Sequence, residues 1–453
     1  MSVGLSFGSI TSGTGIDVDA TVTQILSIQQ AVETPWKNQL SALQAQDTVL
    51  STIGTDLASV SSALLNLTDF SGVFAAKQGS SSNSDVLQLT SASTTATSGS
   101  HSITVSSLAQ TSSEYSSVIA DTSDTLSGSI TVQIGSGAAQ TITVGSTSNT
   151  LSSLMAAING AAIGVKASII KDSTGSRLSL VSATSGAAGQ ISLSSSLQDD
   201  TTGSAVSFTV GQTGKDAVVN VDGLDVEYSS NTVSDIIPGV SFQLLATSSQ
   251  PVQVQITNDN ASIETAMNNF VAAYNKVIAD LSAQEGKDSS GVAEPLYGSP
   301  TLALLQSQLA SGLLGSGASG AINNIGQLGL SLNRDGTLTF DSSQMDVVLN
   351  SNFDDVMGYM QNVGSFGQTM TASLNGLSST RTTGAIYLAL QQNTSQEAAL
   401  NDSIQTQEER IATQKAQLTT QLNTVNQILQ GLPDQLNEVD QMYNAITGYT
   451  RTT

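Results

Sequence analysis

The chain contains no cysteine. That excludes disulfides, thiol catalysis and cysteine-ligated zinc, so its folded units must hold together by packing alone. Basic residues are scarce: 13 Lys and Arg stand against 36 Asp and Glu, a formal net charge of −23. A surface that acidic repels phosphate backbones and anionic bilayers, which excludes nucleic-acid partners and polybasic lipid binding. Charge of either sign is thin, at 11% of the chain, and aromatic residues make up 4%. The polar surface must therefore be built from Ser, Thr, Asn and Gln. There is one histidine, His101, flanked by Ser100 and Ser102. A lone imidazole is a poor basis for a triad or a metal site and reads as a surface polar residue. No apolar run approaches the roughly 20 residues of a membrane span, so membrane insertion is not expected. Met1-Ser2-Val3-Gly4-Leu5 lacks the basic-then-apolar pattern of a signal peptide.

What the sequence does have is periodicity. Trp36, Leu43, Leu50, Leu57 and Leu64 recur in sevens. A second column, Gln39, Gln46, Ile53, Val60 and Leu67, follows three residues behind. That is a coiled-coil pattern, apolar in both columns only in its later half. Before it, Asp17 and Asp19 supply cap and first-turn carboxylates for a helix from Val18. Val22, Ile25, Ile28 and Val32 are placed on one face of that helix, and Pro35 is expected to interrupt. The other end of the chain mirrors the first: Ile404, Ile411, Leu418, Val425, Leu432, Val439 and Ile446 form an unbroken column of sevens. Its companion column is Asn401, Glu408 and Lys415, then Leu422, Leu429, Leu436 and Tyr443. Pro433, two residues after Gly431, predicts a break in this helix.

The outer halves of both coils bury one large residue per heptad, worth about 1.5–3 kcal/mol. Ordering seven residues costs about 1–2 kcal/mol each. Helical hydrogen bonds offset part of that, yet isolated helices are marginal. The outer halves are therefore expected to be disordered in a monomer and to order against other chains.

Between the coils the period changes to two. Ser102–Val105, Ile130–Ile134, Thr141–Val144, Arg177–Leu180, Gln190–Leu193, Val206–Val210 and Val252–Ile256 alternate as short strands. Val218–Val221 and Leu224–Tyr228 flank Asp222-Gly223, a hairpin signal. Strands this closely spaced predict antiparallel sheets. One helix interrupts them, with Leu151, Leu154, Met155 and Ile158 on a face, Asn149 or Thr150 as cap and Gly160 as stop. Helices return after Asp259 or Asn260. Ile263, Met267, Phe270, Tyr274, Val277 and Leu281 form a stripe expected to pack with Leu50–Leu67. Ser299-Pro300 opens a helix carrying Leu302, Leu305 and Leu309. A hairpin is predicted around Asn333–Gly336, then helices with Met345, Val348 and Leu349, with Phe353, Val356, Met357 and Met360, and with Phe366, Met370, Leu374 and Leu377.

No catalytic constellation emerges. Gly315–Gly320 formally fits G-x-G-x-x-G but follows a Leu-rich helix and has no strand before it, so it reads as a loop. Asn333–Thr337 resembles half a calcium loop, yet Ser342 stands where the bidentate Glu is needed. Asp354-Asp355 and Glu408-Glu409 are neighbours on helices, point to different faces and read as solvated surface. No cofactor or metal is expected.

The fold class expected is α+β and multidomain: terminal helices form a coiled-coil and helical-bundle leg, with antiparallel β-rich head domains inserted. The boundaries expected are 1–42 with 404–453 for the leg, and 43–75 with 258–403 for the helical bundle. The heads are expected over 76–112 with 205–257, and over 113–204.

Several segments together resemble one family. Ser12–Asp19 is similar to its opening Gly-Ile-Asp-hydrophobic-Asp motif, and Ser100–Ala109 to its first-strand motif ending in Leu-Ala. Ala157-Ile158-Asn159 with Gly164–Ala167 resembles the Ile-Asn motif shared by several flagellar axial proteins. Val221–Gly223, Ser230–Val233, Ile237–Val240, Phe270–Asn275, Leu328–Leu330 and Asp335–Leu338 fit in order and spacing. On these motifs the chain is identified as a member of the bacterial flagellar filament cap family, hook-associated protein 2. The resemblance implies a homo-oligomeric ring at the distal tip of the filament, a pentamer by family likeness. A β-rich plate would top it, and helical legs would descend into the filament. It implies flagellin, hook–filament junction proteins and a flagellar type III export chaperone as partners, and secretion through the flagellar apparatus. The ring would keep flagellin from leaking away and help it fold and insert, without catalysis. Trp36, Leu43, Leu50, Leu57, Ile404, Ile411, Leu418, Val425, Leu432 and Val439 are the interface residues expected. Two other readings, a mucin- or glycan-binding adhesin and another flagellar axial protein, stay open on the sequence.

Overall fold

The computed structural model describes residues 17–145, 149–315 and 320–448. The opening motif over Ser12–Ile16, the middle of the Gly315–Gly320 loop, and Tyr449 lie outside the described residues. The described helices are α1 (Val18–Gln30), α2 (Glu33–Thr68), α3 (Leu151–Gly160), α4 (Asn260–Ala283), α5 (Pro300–Leu313), α6 (Ser342–Gln361), α7 (Phe366–Leu377) and α8 (Ala385–Thr447). The chain forms two compact units: its two ends, up to Thr68 and from Glu264 on, make one, and Asp69–Ile263 makes the other. Terminal helices with an inserted region of antiparallel sheets are thus the architecture, as the two periods in the sequence imply.

The helical unit begins with α1, whose first turn is capped by Asp17 accepting from the Ala20 N–H at 3.0 Å. The helix ends upstream of Pro35, at Ala31–Val32. The reason is local: a proline ring crowds the carbonyl four residues before it, here that of Ala31, and offers that carbonyl no N–H. Pro35 itself sits in the first turn of α2, where a missing N–H costs nothing. The face expected for α1 is corrected. Val18, Val22 and Leu26 turn inward, while Ile28 is 60% exposed and Val32 49%.

The α4 stripe is buried throughout, with Ile263, Met267, Phe270, Tyr274, Val277 and Leu281 each at most 1% exposed. Burial pushes the Tyr274 phenol up to about 12. Asn275 on α4 receives the Leu338 N–H at 2.7 Å and donates to the Leu338 carbonyl at 2.8 Å. That double bond fixes the hairpin Leu330–Leu332/Leu338–Phe340 against the helix. Asn333, which accepts a bond from the Gly336 N–H and donates to Thr337, closes the hairpin turn. Asp341 caps α6, and the non-helical Asn352 splits that helix in two. The stacked rings of Tyr359 and Phe366, 5.3 Å apart, join α6 to α7. Leu50, Ile53, Leu57, Val60, Leu64 and Leu67 of α2 are buried, as their heptads require. Their main neighbours are α7 and α8. α4 lies beside α2 as well, where Lys276 pairs with Asp56 at 3.2 Å.

The break expected at Gly431–Pro433 is absent: α8 is one helix that contains Pro433. A proline in a helix interior costs about 3 kcal/mol, chiefly one lost hydrogen bond and one crowded carbonyl. Long helix-favouring runs on both sides of Pro433 keep the remaining bonds, and the helix persists.

In the other unit, five strands pair in the order Lys77–Ser81, Val252–Asn258, Gly99–Ser107, Ala217–Val221, Leu224–Tyr228, all antiparallel. A three-stranded sheet of Thr232–Ser234, Val240–Leu244 and Leu87–Ala92 shares its core, where Leu87, Ile103, Val219, Val240, Phe242 and Val254 are buried. The turn between the last two strands of the larger sheet puts Asp222 at φ 52° and Gly223 at φ 93°. Both values are positive, as a type I′ hairpin demands. A second core lies between α3 and the sheets built on Ser129–Ile134 and Gly175–Ser185. There Thr150 caps α3 reciprocally with Ser153. Asn159 bonds both the N–H and the carbonyl of Ala167, tying helix to strand.

Candidate functional site

The terminal helices carry the sequence's interface residues, and α8 is the axis on which they meet. α2 runs antiparallel to it. Gly54 lies so close to the start of α8 that a Cβ there would stand 3.7 Å from Ile386. Seven residues back along α2, Asp47 accepts from the Asn393 amide at 2.7 Å. Further out, the Lys37 ammonium bridges Glu33 at 2.8 Å and Glu408 at 2.9 Å. Both carboxylates hold the ammonium's pKa above its ordinary value, Glu33 more strongly. Where α2 begins, α1 takes over: Val18, Val22 and Leu26 pack on Ile411, with Leu418 and Leu422 half-buried beside them.

Among the described residues, the apolar cluster that α1 forms on α8 extends to Leu422. From Asn423 to Thr447 the helix runs on for about 37 Å at 1.5 Å per residue. Val425, Ile428, Leu432, Leu436, Val439, Met442, Tyr443 and Ile446 are exposed there.

The expected interface residues therefore fall into three groups. Leu43, Leu50, Leu57, Ile404 and Ile411 are buried within the chain. Trp36 and Leu418 are half-buried. Val425, Leu432 and Val439 face solvent. Sequence reasoning missed Leu26, which the heptad assigns to no column. It also missed the Glu33–Lys37–Glu408 bridge, although Glu33 and Lys37 have the i,i+4 spacing that favours such a pair. α2 is long and apolar enough to pass for a membrane span by length and composition, contrary to expectation. Its apolar columns are spent on α7 and α8.

Elsewhere the chemistry is structural. His101 Nδ1 stands 2.7 Å from Asp222 Oδ2, and the Ser102 N–H donates to Oδ1 at 2.8 Å. These two bonds, His101 foremost, hold the Asp222 carboxyl below the usual carboxylate range. Among the described residues no group of three His, Cys, Asp or Glu side chains could hold a metal ion.

Two family models cover the chain: "Flagellar hook-associated protein 2 N-terminus" over residues 14–112 and "Flagellar hook-associated protein 2 C-terminus" over residues 214–446. The chain belongs to the flagellar hook-associated protein 2 family. The B-type flagellar hook-associated protein 2 of Pseudomonas aeruginosa is 30% identical over 448 residues, spanning 92% of each chain. The Escherichia coli flagellar hook-associated protein 2 is 28% identical over 452 residues, spanning 93% of this chain and 96% of that one. A solved structure of the E. coli flagellar cap protein FliD, domains D1-D2-D3, superposes with a TM-score of 0.59 at 27% identity. It covers 76% of this chain and 99% of its own. Both terminal coils and the first β core thus lie within family-matched sequence, and the family's members are flagellar cap proteins.

Proposed function

We propose that this chain is a subunit of a homo-oligomeric ring, five subunits by family likeness, that caps the distal tip of the flagellar filament. It is secreted through the flagellar export apparatus, with an export chaperone, flagellin and hook–filament junction proteins as its partners. The ring holds flagellin at the growing end and favours its folding and insertion. Its work is steric and conformational rather than catalytic. The observation that carries this reading is the row of exposed apolar side chains on α8 from Val425 to Ile446. A helix that keeps its heptads exposed for about 37 Å supports contacts with other chains. Val425, Leu432 and Val439 are the residues assigned to those contacts. Leu43, Leu50, Leu57, Ile404 and Ile411 hold the leg together, and Trp36 and Leu418 lie at its margin. In the free monomer the leg, residues 1–42 with 404–453, orders incompletely; it gains its full helix on seating.

Electron microscopy of the purified oligomer tests the ring. A strain lacking the gene tests the role. Loss of motility with flagellin shed into the medium is expected, and normal filaments without this chain would refute the reading.

A further inference from the structure

Glu114 is a buried carboxyl that capping does not use. It lies on the inner face of the strand Thr111–Ser116, is 6% exposed, and makes no hydrogen bond or ion pair among the described residues. The residues two places either side of it on that face are satisfied. Ser112 Oγ accepts from the Ile191 N–H at 3.0 Å, and Ser116 Oγ accepts from the Leu178 N–H at 2.8 Å. Opposite Glu114 stand Leu180 on one neighbouring strand and Val210 on the other.

The elements around it offer no charge. Gly175–Ser185 carries one charged residue, Arg177, which lies over the ring of Tyr115 at 5.8 Å. Tyr115 follows Glu114 in the strand and so points to the opposite face. Phe208–Gln212 carries no charged residue, nor does Ile191–Ser195, which packs on Thr111–Ser116. Lys166 and Lys171 are two strands away, opposite Val181 and Ser176. Burial alone pushes the Glu114 carboxyl above its ordinary range.

Of the two strands that flank Glu114, Phe208–Gln212 is the one that no further strand holds in place, being the edge of its four-stranded sheet. Its register slips between Val210 and Gln212, beside the residue that faces Glu114, and Val210 is 52% exposed. The segment is pinned at its ends. The Ser117 N–H donates to the Ser207 carbonyl at 2.7 Å, and the Gly214 N–H donates to the Gln190 side chain at 2.9 Å. An unpartnered carboxyl either stays protonated or reaches water. The bulged middle of this strand is where the sheet can give.

We propose that Glu114 is a proton-operated latch on this edge: protonated, it lets Phe208–Gln212 lie closed on Thr111–Ser116; ionised, it draws in water and lifts the middle of that strand. The closed form binds the proton more tightly than the lifted form, in which the carboxyl meets solvent. Closure is therefore strongest below about pH 4, weakens as pH rises above that, and levels off once the closed form is itself ionised. Lifting uncovers backbone N–H and C=O groups of Thr111–Ser116 for pairing with another strand.

Hydrogen exchange of the full chain, expressed as protection factors between pH 4 and 8, tests the latch. Each unit of difference in proton affinity is tenfold in the lifting equilibrium, so protection of Phe208–Gln212 should fall at least about threefold. Glu114→Gln, which cannot ionise, should hold that protection constant. Unchanged protection in the parent, the same fall in Glu114→Gln, or an equal fall across Val165–Leu180 would each overturn the proposal. Where circular dichroism shows Glu114→Gln unfolded, the carboxyl carbon shift of Glu114 in the parent replaces it. A titration midpoint above the ordinary glutamate value is expected, and one at or below it overturns the latch.

Discussion

Replacing Val425, Leu432 and Val439 together by serine should uncouple assembly from folding. The three side chains are 42%, 36% and 57% exposed, so the chain itself buries only part of each. Full burial of a Val or Leu side chain is worth about 1.5–3 kcal/mol. The fraction still open to a neighbour therefore amounts to about 2–4 kcal/mol per subunit. At about 1.4 kcal/mol per tenfold, self-association should weaken by at least about 30-fold. Serine and valine have similar helix propensities and leucine is only slightly better, so α8 should survive. Sedimentation equilibrium reads the association, and circular dichroism checks the helix. Trp36, the single tryptophan of the chain and half-buried beside the leg contacts, reports seating by its emission. Association within threefold of the parent, in a protein whose helicity is intact, would refute the reasoning. A triple substitution at Leu43, Leu50 and Leu57 should behave oppositely and unfold the helical unit, because those side chains have no exposure left to give.

Hydrogen exchange on a proven monomer should find Leu436–Ile446 weakly protected and the α4 stripe strongly so; strong protection of both would contradict an incompletely ordered leg. Gly54→Ala should destabilise the helical unit, since the added Cβ would lie 2.7 Å from Ser379 Cβ, and overpacking at about 1–3 kcal/mol outweighs the roughly 1 kcal/mol gained in helix propensity. Scanning calorimetry of Gly54→Ala with Ser379→Gly checks this, because removing the obstructing side chain should turn the loss into a gain. The Asp222 carboxyl has a depressed pKa in the folded state, so its contribution is present above about pH 4 and is lost as pH falls through the folded value. Asp222→Asn should therefore lower protection of Ala217–Tyr228 at pH 6 and make it less steeply dependent on pH between 5 and 3; a parallel pH profile would show that the carboxylate contributes nothing.

Long-period signals were legible and pairings were not. The α4 column could be read residue by residue because six apolar side chains at alternating spacings of four and three admit one buried face. The strands could be read as strands, yet alternation fixes a face and not a neighbour. Nothing in Ser102–Val105 states that it lies between Val252–Asn258 and Ala217–Val221. Of the two proline readings one held and one did not. Pro35 interrupts the helix, but it acts through the carbonyl of Ala31, so the break falls before the residue that causes it. Pro433 meets a helix long enough to absorb its loss. At the candidate site the columns were legible, but the division between side chains buried within the chain and those left for partners was not. That division depends on which face of α1 meets α8, and Leu26 rather than Ile28 lies on it.

The strand that enters the β unit, Lys77–Ser81, is hydrogen-bonded directly to the one that leaves it, Val252–Asn258, with Lys77 opposite Asn258. Val252–Asn258 is paired on its other side with Gly99–Ser107, so the two crossing points of the chain are clamped by the same sheet. The spacing between the chain's entry and exit is therefore set by that sheet, and insertions in loops away from it leave that spacing unchanged.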